Sequence, residues 1–292
     1  MFFCVCFKEK AVKLKHNKKK ITVVFEISKL NGTEIVMKKK SKLKSKYHKQ
    51  PIWRGFAGLL RIFFKRPDIV NLAGKLPDKA IYVANHSAMA GPVIYNLYFP
   101  KAVSPWGAYP MLEGYKSRYK YLKNVYFIQK RGMNKFFASI LAFFEAFFSI
   151  WIYKGMKVIP SYPDGRMLKT IRRSVETLDN NRSVIIFPEN SSEGYKDVLT
   201  SFSAGFVMLA ERYGKLRNEE IPIYPVYYNK DKSKMVIGKP VTLSELKEQG
   251  FTDRKQIAGE MCRHVNDLYY NYVQSSTADE KNDIAELEPL EN

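Results

Sequence analysis

Asn85 and His86 follow directly on the apolar run Tyr82-Val83-Ala84. A polar pair at the carboxyl end of a strand in an α/β sheet stands where ligands bind, and a histidine there can take a proton near neutral pH. On its own, such a histidine is more often structural than a base. Roughly 100 residues later a second apolar run, SVIIFP (183–188), leads into Glu189-Asn190-Ser191-Ser192. A carboxylate followed by small polar residues can hold substrate hydroxyls; equally, Asn190 or Ser191 can cap the next turn. A third block runs Gly155-x-x-Val158-Ile159-Pro160 and on to Asp164 and Arg166, and a fourth is Ile221-Pro222-Ile223-Tyr224-Pro225-Val226. The paired prolines of the fourth fit an edge strand.

These blocks need elements to carry them. KAIYVAN (79–85) and SVIIFP read as short buried strands, and VSPWGA (103–108), VYFIQ (125–129) and GMKVIPSY (155–162) as further strands. Pro92 suits the first turn of a helix running through Phe99. Met167, Ile171, Val175 and Leu178 recur at helical spacing over 166–179, with Asp164 as a cap. Helices are also expected over 202–214 and 253–274. IPIYPVYY (221–228) and KMVIG (234–238) form a strand pair around the turn 229–233. Strands alternating with helices predict an α/β fold: a mixed, largely parallel sheet flanked by helices.

Two greasy stretches stand apart. PIWRGFAGLLRIFFKR (51–66) interleaves apolar residues with Arg54, Arg61, Lys65 and Arg66, the pattern of an N-terminal amphipathic helix lying on a membrane surface. Residues 136–152, FFASILAFFEAFFSIWI, are apolar apart from Ser139, Glu145 and Ser149. A buried core helix and a shallowly inserted one both fit, the length favouring the first and the phenylalanine density the second.

The chain has 292 residues and a net charge of +21. Residues 1–50 hold 15 Lys and 3 Glu, while 277–292 hold six acids and one Lys. The expected organisation is a disordered Lys-rich extension (1–50), a folded domain (51–276) and a disordered acidic tail (277–292). Within the extension, 1–36 is expected to be dispensable, since Met37 opens a second lysine-rich start. Such a basic body suits an anionic lipid surface. Nucleic acid is not expected as a partner, since no recognition helix or base-stacking motif stands out. Three cysteines and four histidines show neither disulfide nor metal-ligand spacing, so no metal is expected and the setting reads as intracellular and reducing.

In order and spacing, NHSAMAG, GMKVIPSYPDGR, FPENSSE and IPIYPVYY resemble the glycerolipid acyltransferase family, of the 1-acyl-glycerol-3-phosphate acyltransferase type. The likeness runs from about residue 53 to 240. It implies transfer of a fatty acyl group from a thioester, acyl-CoA or acyl-ACP, to a hydroxyl of a lysophospholipid-like acceptor at the cytoplasmic face of a membrane. The thioester is a co-substrate, and no cofactor is implied. Membrane lipids, an anionic membrane surface and acyl carrier protein are the implied partners. His86 would be the general base, with Asn85, Arg166, Glu189, Asn190 and Ser191 binding substrate and Arg166 receiving the acceptor's phosphate. The chain departs from the pattern in three places. Gly91 stands where the family has the aspartate that orients the histidine, Asn190-Ser191-Ser192 replaces Gly-Thr-Arg, and Ser203 replaces a lysine. Asp164 or Glu189 is then expected to supply the orienting acid, and Gly91→Asp to restore or raise activity. The acceptor headgroup is expected to differ from the usual one. The alternative is a catalytically inactive lipid-binding member of the same fold.

Overall fold

The computed structural model describes Val23–Glu26, Lys38–Ser41 and residues 51–87, 90–189 and 196–274. Asn190, Ser191 and the tail 277–292 lie outside the described residues, as does most of the segment 1–50. Two units divide between Lys49 and Gln50. In the first, β1 (Val23–Glu26) and β2 (Lys38–Ser41) pair antiparallel, with Val23 opposite Ser41.

The second unit is built on seven strands: β3 (Asp68–Asn71), β4 (Ile81–Ala84), β5 (Val103–Ala108), β6 (Ile159–Ser161), β7 (Ser183–Ile186), β8 (Ile223–Asn229) and β9 (Lys234–Ile237). Their order in the sheet is β3-β9-β8-β4-β7-β5-β6. Every neighbouring pair is parallel except β8–β9. The fold is thus α/β with a mixed, mostly parallel sheet flanked by helices. Alternating side chains explain why the central strands read as unbroken apolar runs. Ile81 and Val83 pack on one face against α5 (Met167–Asp179), α6 (Gly205–Arg217), α7 (Leu243–Glu248) and α8 (Arg254–Tyr269). Tyr82 and Ala84 pack on the other, against Ile94, Tyr95 and Phe99 from α2 (Ala90–Tyr98) and its end.

Two expected elements differ. Pro225 lies inside the sheet, because β8 is flanked by β4 and β9 rather than sitting at an edge. Its missing N–H falls opposite Gly238, just past the last β8–β9 pair, Val226 with Ile237, so a single ladder bond is lost. Residues 125–129 are not a strand. After α3 (Tyr115–Lys120) the chain continues as a π-helix, Tyr121–Lys130. Leu122 and Phe127, five residues apart, are both buried against the next helix, so packing overrides the β preference of Val125, Tyr126, Phe127 and Ile128.

That next helix, α4 (Lys135–Gly155), begins at Asn134, whose side chain accepts from the Phe136 N–H at 2.8 Å. Its packed side is narrow and made of small residues: Ala138, Ala142, Ala146 and Ser149. Arg118 of α3, itself buried, donates to the Ala146 carbonyl at 2.9 Å. Phe136, Phe137, Ile140, Leu141, Phe143, Phe144, Phe147, Phe148 and Trp151 all face outward, each between 42% and 68% exposed. At 3.6 residues per turn they fall within an arc of roughly 160°. The helix is therefore not a core helix; only its alanine side is inside. The first helix, α1 (Pro51–Phe63), meets α4 through Trp53, whose ring occupies the space a side chain at Gly155 would need. Its Leu59, Ile62 and Phe63 are also exposed.

Candidate active site

β4 and β7 are adjacent and parallel, with Val83 opposite Ile186. Three residues further along each strand stand His86 and Glu189, so the register alone delivers them side by side at the carboxyl edge of the sheet. Glu189 Oε1 accepts from the His86 main-chain N–H at 2.5 Å. Phe187 packs edge-on against the His86 ring, centroids 5.2 Å apart. Ser87 then turns the chain with a left-handed backbone (φ 42°) into α2. Gly91, in the first turn of α2, lies so close that a Cβ there would stand 2.0 Å from the His86 carbonyl oxygen.

Asn85, expected to meet substrate, holds strands instead. It is 3% exposed. Its amide donates to the Tyr228 carbonyl and accepts from the Tyr228 N–H, both at 2.8 Å, and also accepts from the Tyr95 hydroxyl at 3.0 Å. It extends the β4–β8 pairing by a side chain and fixes where His86 leaves the strand. Arg166 is committed elsewhere too. Its guanidinium lies against the stacked pair of Tyr109 and Tyr162 rings, 4.6 and 4.5 Å from their centroids, and pairs with both oxygens of Asp164. That pairing holds the Asp164 carboxyl down to about 2. Neither Arg166 nor Asp164 lines the space beside His86; Glu189, bonded to the His86 main chain, is the nearer of the two expected acids.

That space is a cleft of about 180 Å³. It is lined by Val93 of α2, Trp106 and Ala108 of β5, Tyr126 and Lys130 of the π-helix and Glu145 of α4. Lys130 and Glu145 were not singled out by the sequence. Glu145 left a trace as the lone carboxylate in an apolar run. Lys130 left none, because its direction depends on the π pitch. Burial raises the pKa of Glu145, against the pull of Arg131. Burial also raises Glu189, to about 7, opposed by the His86 N–H and by the charge of Lys130.

The Glu189 shift has a measurable sign. Its folded pKa lies above the ordinary carboxylate value of about 4.5, so the native state keeps this proton longer than the unfolded chain. Stability is greatest below the unfolded value and falls as pH rises from about 4.5 through 7, by on the order of 3 kcal/mol. Glu189→Gln keeps an acceptor for the His86 N–H and has no proton to lose. Urea unfolding is expected to show the variant gaining on the wild type from pH 5 to pH 8; an equal difference at both pH values would contradict a desolvated carboxylate.

A family model described as Acyltransferase matches residues 69–229, from β3 to the end of β8. No curated protein matches the chain. Among solved structures, the chain is similar to the 1-acyl-sn-glycerophosphate (LPA) acyltransferase PlsC from Thermotoga maritima. The TM-score is 0.43 and the identity 14%, over 76% of this chain and 79% of that one.

Proposed function

The chain belongs to the acyltransferase family, and from that premise we propose that it moves a fatty acyl group from a thioester to a hydroxyl of a lysophospholipid-like acceptor, with His86 as general base. The imidazole takes the hydroxyl proton as the acceptor oxygen attacks the thioester carbonyl. A C–O bond forms, the C–S bond breaks, and the proton passes to the departing thiolate. The donor is acyl-CoA or acyl-ACP, and no covalent enzyme intermediate is required. Glu189, poised near neutrality, hydrogen-bonds the acceptor, with Asn190 and Ser191 beside it in sequence. One observation carries this reading: His86 lines a cleft with largely apolar walls, and its main-chain N–H is held by Glu189, a carboxylate far away in the sequence.

The membrane is the proposed partner surface. The α4 helix is long enough to cross a bilayer, but its alanine side is packed on protein, so it lies in the interface with its phenylalanine arc in lipid. Exposed Lys116 and Lys120 of α3, Arg131 at the end of the π-helix and Lys135 and Lys154 of α4 itself suit an anionic, cytoplasmic leaflet. Replacing Phe144 and Phe147 together by Ser is expected to weaken binding to anionic vesicles roughly 10–100-fold. Folding stability should move little, since both side chains are exposed. Unchanged vesicle binding would remove α4 as the docking face.

The test of the activity is transfer of a labelled acyl group from its thioester into lysolipid-containing vesicles. The alternative, lipid binding without turnover, draws on Gly91 standing where the motif's acid would be; it predicts vesicle binding and no labelled product with any acceptor.

A further inference from the structure

A histidine that works as a base must be aimed. In a catalytic triad a carboxylate does this, by holding the ring nitrogen that does not react; here Gly91 stands where the motif has that acid. The first turn of α2 is instead pressed on the His86 main chain so closely that no Cβ fits at residue 91. This closeness has an effect one turn further on. Tyr95, four residues along α2, shares the face of Gly91, and the bare glycine lets its side chain sink to complete burial among the strand ends. There the Tyr95 hydroxyl donates to the Asn85 amide oxygen at 3.0 Å, joining the bonds that tie Asn85 to Tyr228. The Tyr95 ring lies against Phe187, centroids 5.7 Å apart, and Phe187 in turn meets the His86 ring at 5.2 Å and an interplanar angle of 66°. Tyr95 is itself packed on Phe99 and Tyr228, at 6.3 and 6.0 Å. Pro188 holds Phe187 extended, and residues two apart on an extended chain share a side. Glu189 thus takes the His86 main-chain N–H while Phe187 takes the ring.

We infer that Phe187, backed by Tyr95, positions the His86 imidazole, so that an aromatic stack does by packing what an aspartate would do by charge. Both are positioning residues: they act through His86. The inference rests on the acyl-transfer reading for what the ring does, but not for how it is held. A flat ring against a flat ring constrains the imidazole plane, provided that the supporting ring cannot yield. Tyr95 meets that condition, being completely buried and anchored at its hydroxyl. Leucine at residue 187 keeps an apolar side chain there but offers the imidazole no plane.

The experiment reads the ring directly, by nuclear magnetic relaxation of isotope-labelled histidine ring carbons in the full chain; the His86 signal is the one missing from His86→Ala. In the wild type the ring is expected to be as ordered as rigid backbone, with an order parameter of about 0.85, and in Phe187→Leu to fall below about 0.6. Tyr95→Phe is the conservative variant: it keeps the ring behind Phe187, loses one hydrogen bond to Asn85, and should keep most of the order. In the same preparations kcat for acyl transfer should fall roughly 10–100-fold in Phe187→Leu, as for a displaced reacting group, with KM for the acceptor within about twofold of wild type. Circular dichroism checks folding, and Phe187→Met, which nearly conserves volume, replaces the leucine variant if that one is unfolded. A ring as ordered in Phe187→Leu as in the wild type, or already mobile in the wild type, overturns the inference whatever the turnover. The order parameters need no substrate, so a wild type that holds the ring but transfers no acyl group defeats the proposed function alone. A ring that loosens in Phe187→Leu while turnover stays at the wild-type rate likewise leaves the stack standing and removes His86 as the base.

Discussion

His86→Ala is expected to lower the acyl-transfer rate by roughly 10²–10⁴, the usual worth of a positioned general base. The side chain lines the cleft at the end of β4, while its main chain is what Glu189 holds. Alanine therefore keeps the hydrogen bond to Glu189 and the strand pairing through Asn85, and removes the imidazole alone. Vesicle binding and thermal stability should stay near wild type while turnover falls. The measurement is the initial rate of label transfer from acyl thioester to lysolipid at saturating donor. A variant as fast as the wild type would remove His86 as the base and leave the cleft without an assigned proton acceptor.

Gly91→Asp is expected to lose activity rather than recover it. Motif logic alone favours rescue, since an acid at this position would restore the family's orienting carboxylate. The packing forbids it: any Cβ at residue 91 would stand 2.0 Å from the His86 carbonyl oxygen and 2.9 Å from its carbon. Both are main-chain atoms, so relief requires moving the turn that carries the imidazole. Overpacking of this kind costs about 1–3 kcal/mol, and a 1 Å displacement of a reacting group can cost about 10²-fold in rate. Gly91→Ala separates the two ideas, because it brings the clash without the carboxylate. Both variants should lose stability in urea and fall at least about tenfold in turnover. Gly91→Asp outperforming both Gly91→Ala and wild type would show that the turn can open and that only the acid was lacking.

Much of the frame was legible because burial on both faces makes a strand's sequence continuous. Ile81–Ala84, Val103–Ala108 and Ser183–Ile186 are such strands. Reading failed where the deciding interaction lay elsewhere in the chain. Pro222 and Pro225 suggest an edge, yet β9 returns beside Pro225 and supplies a glycine where a donor is lacking. Val125–Gln129 has the composition of a strand, and only the α4 alanines make it helical. The existence of α4 was clear, but its orientation was not, since phenylalanine is equally at home in a core and in lipid. The site divides the same way. His86 and Glu189 are separated by motif spacing that a parallel register converts into contact. Where Arg166 lies, against the stacked Tyr109 and Tyr162 rings, could not be read from its spacing, and Lys130 could not be placed on the cleft without the π-helix.

The inside-out packing of α4 has one more implication. In an ordinary amphipathic helix the large side chains hold the fold together, so selection for stability constrains them. Here methyl groups make the joint, and the aromatic ridge adds little to cohesion in water beyond contacts such as that of Phe143 with Tyr115. The two sides of one rod thus answer to different masters. Its alanines are fixed by the neighbouring helices, whereas the bulk and spacing of its phenylalanines are free to follow whatever phase the ridge is immersed in.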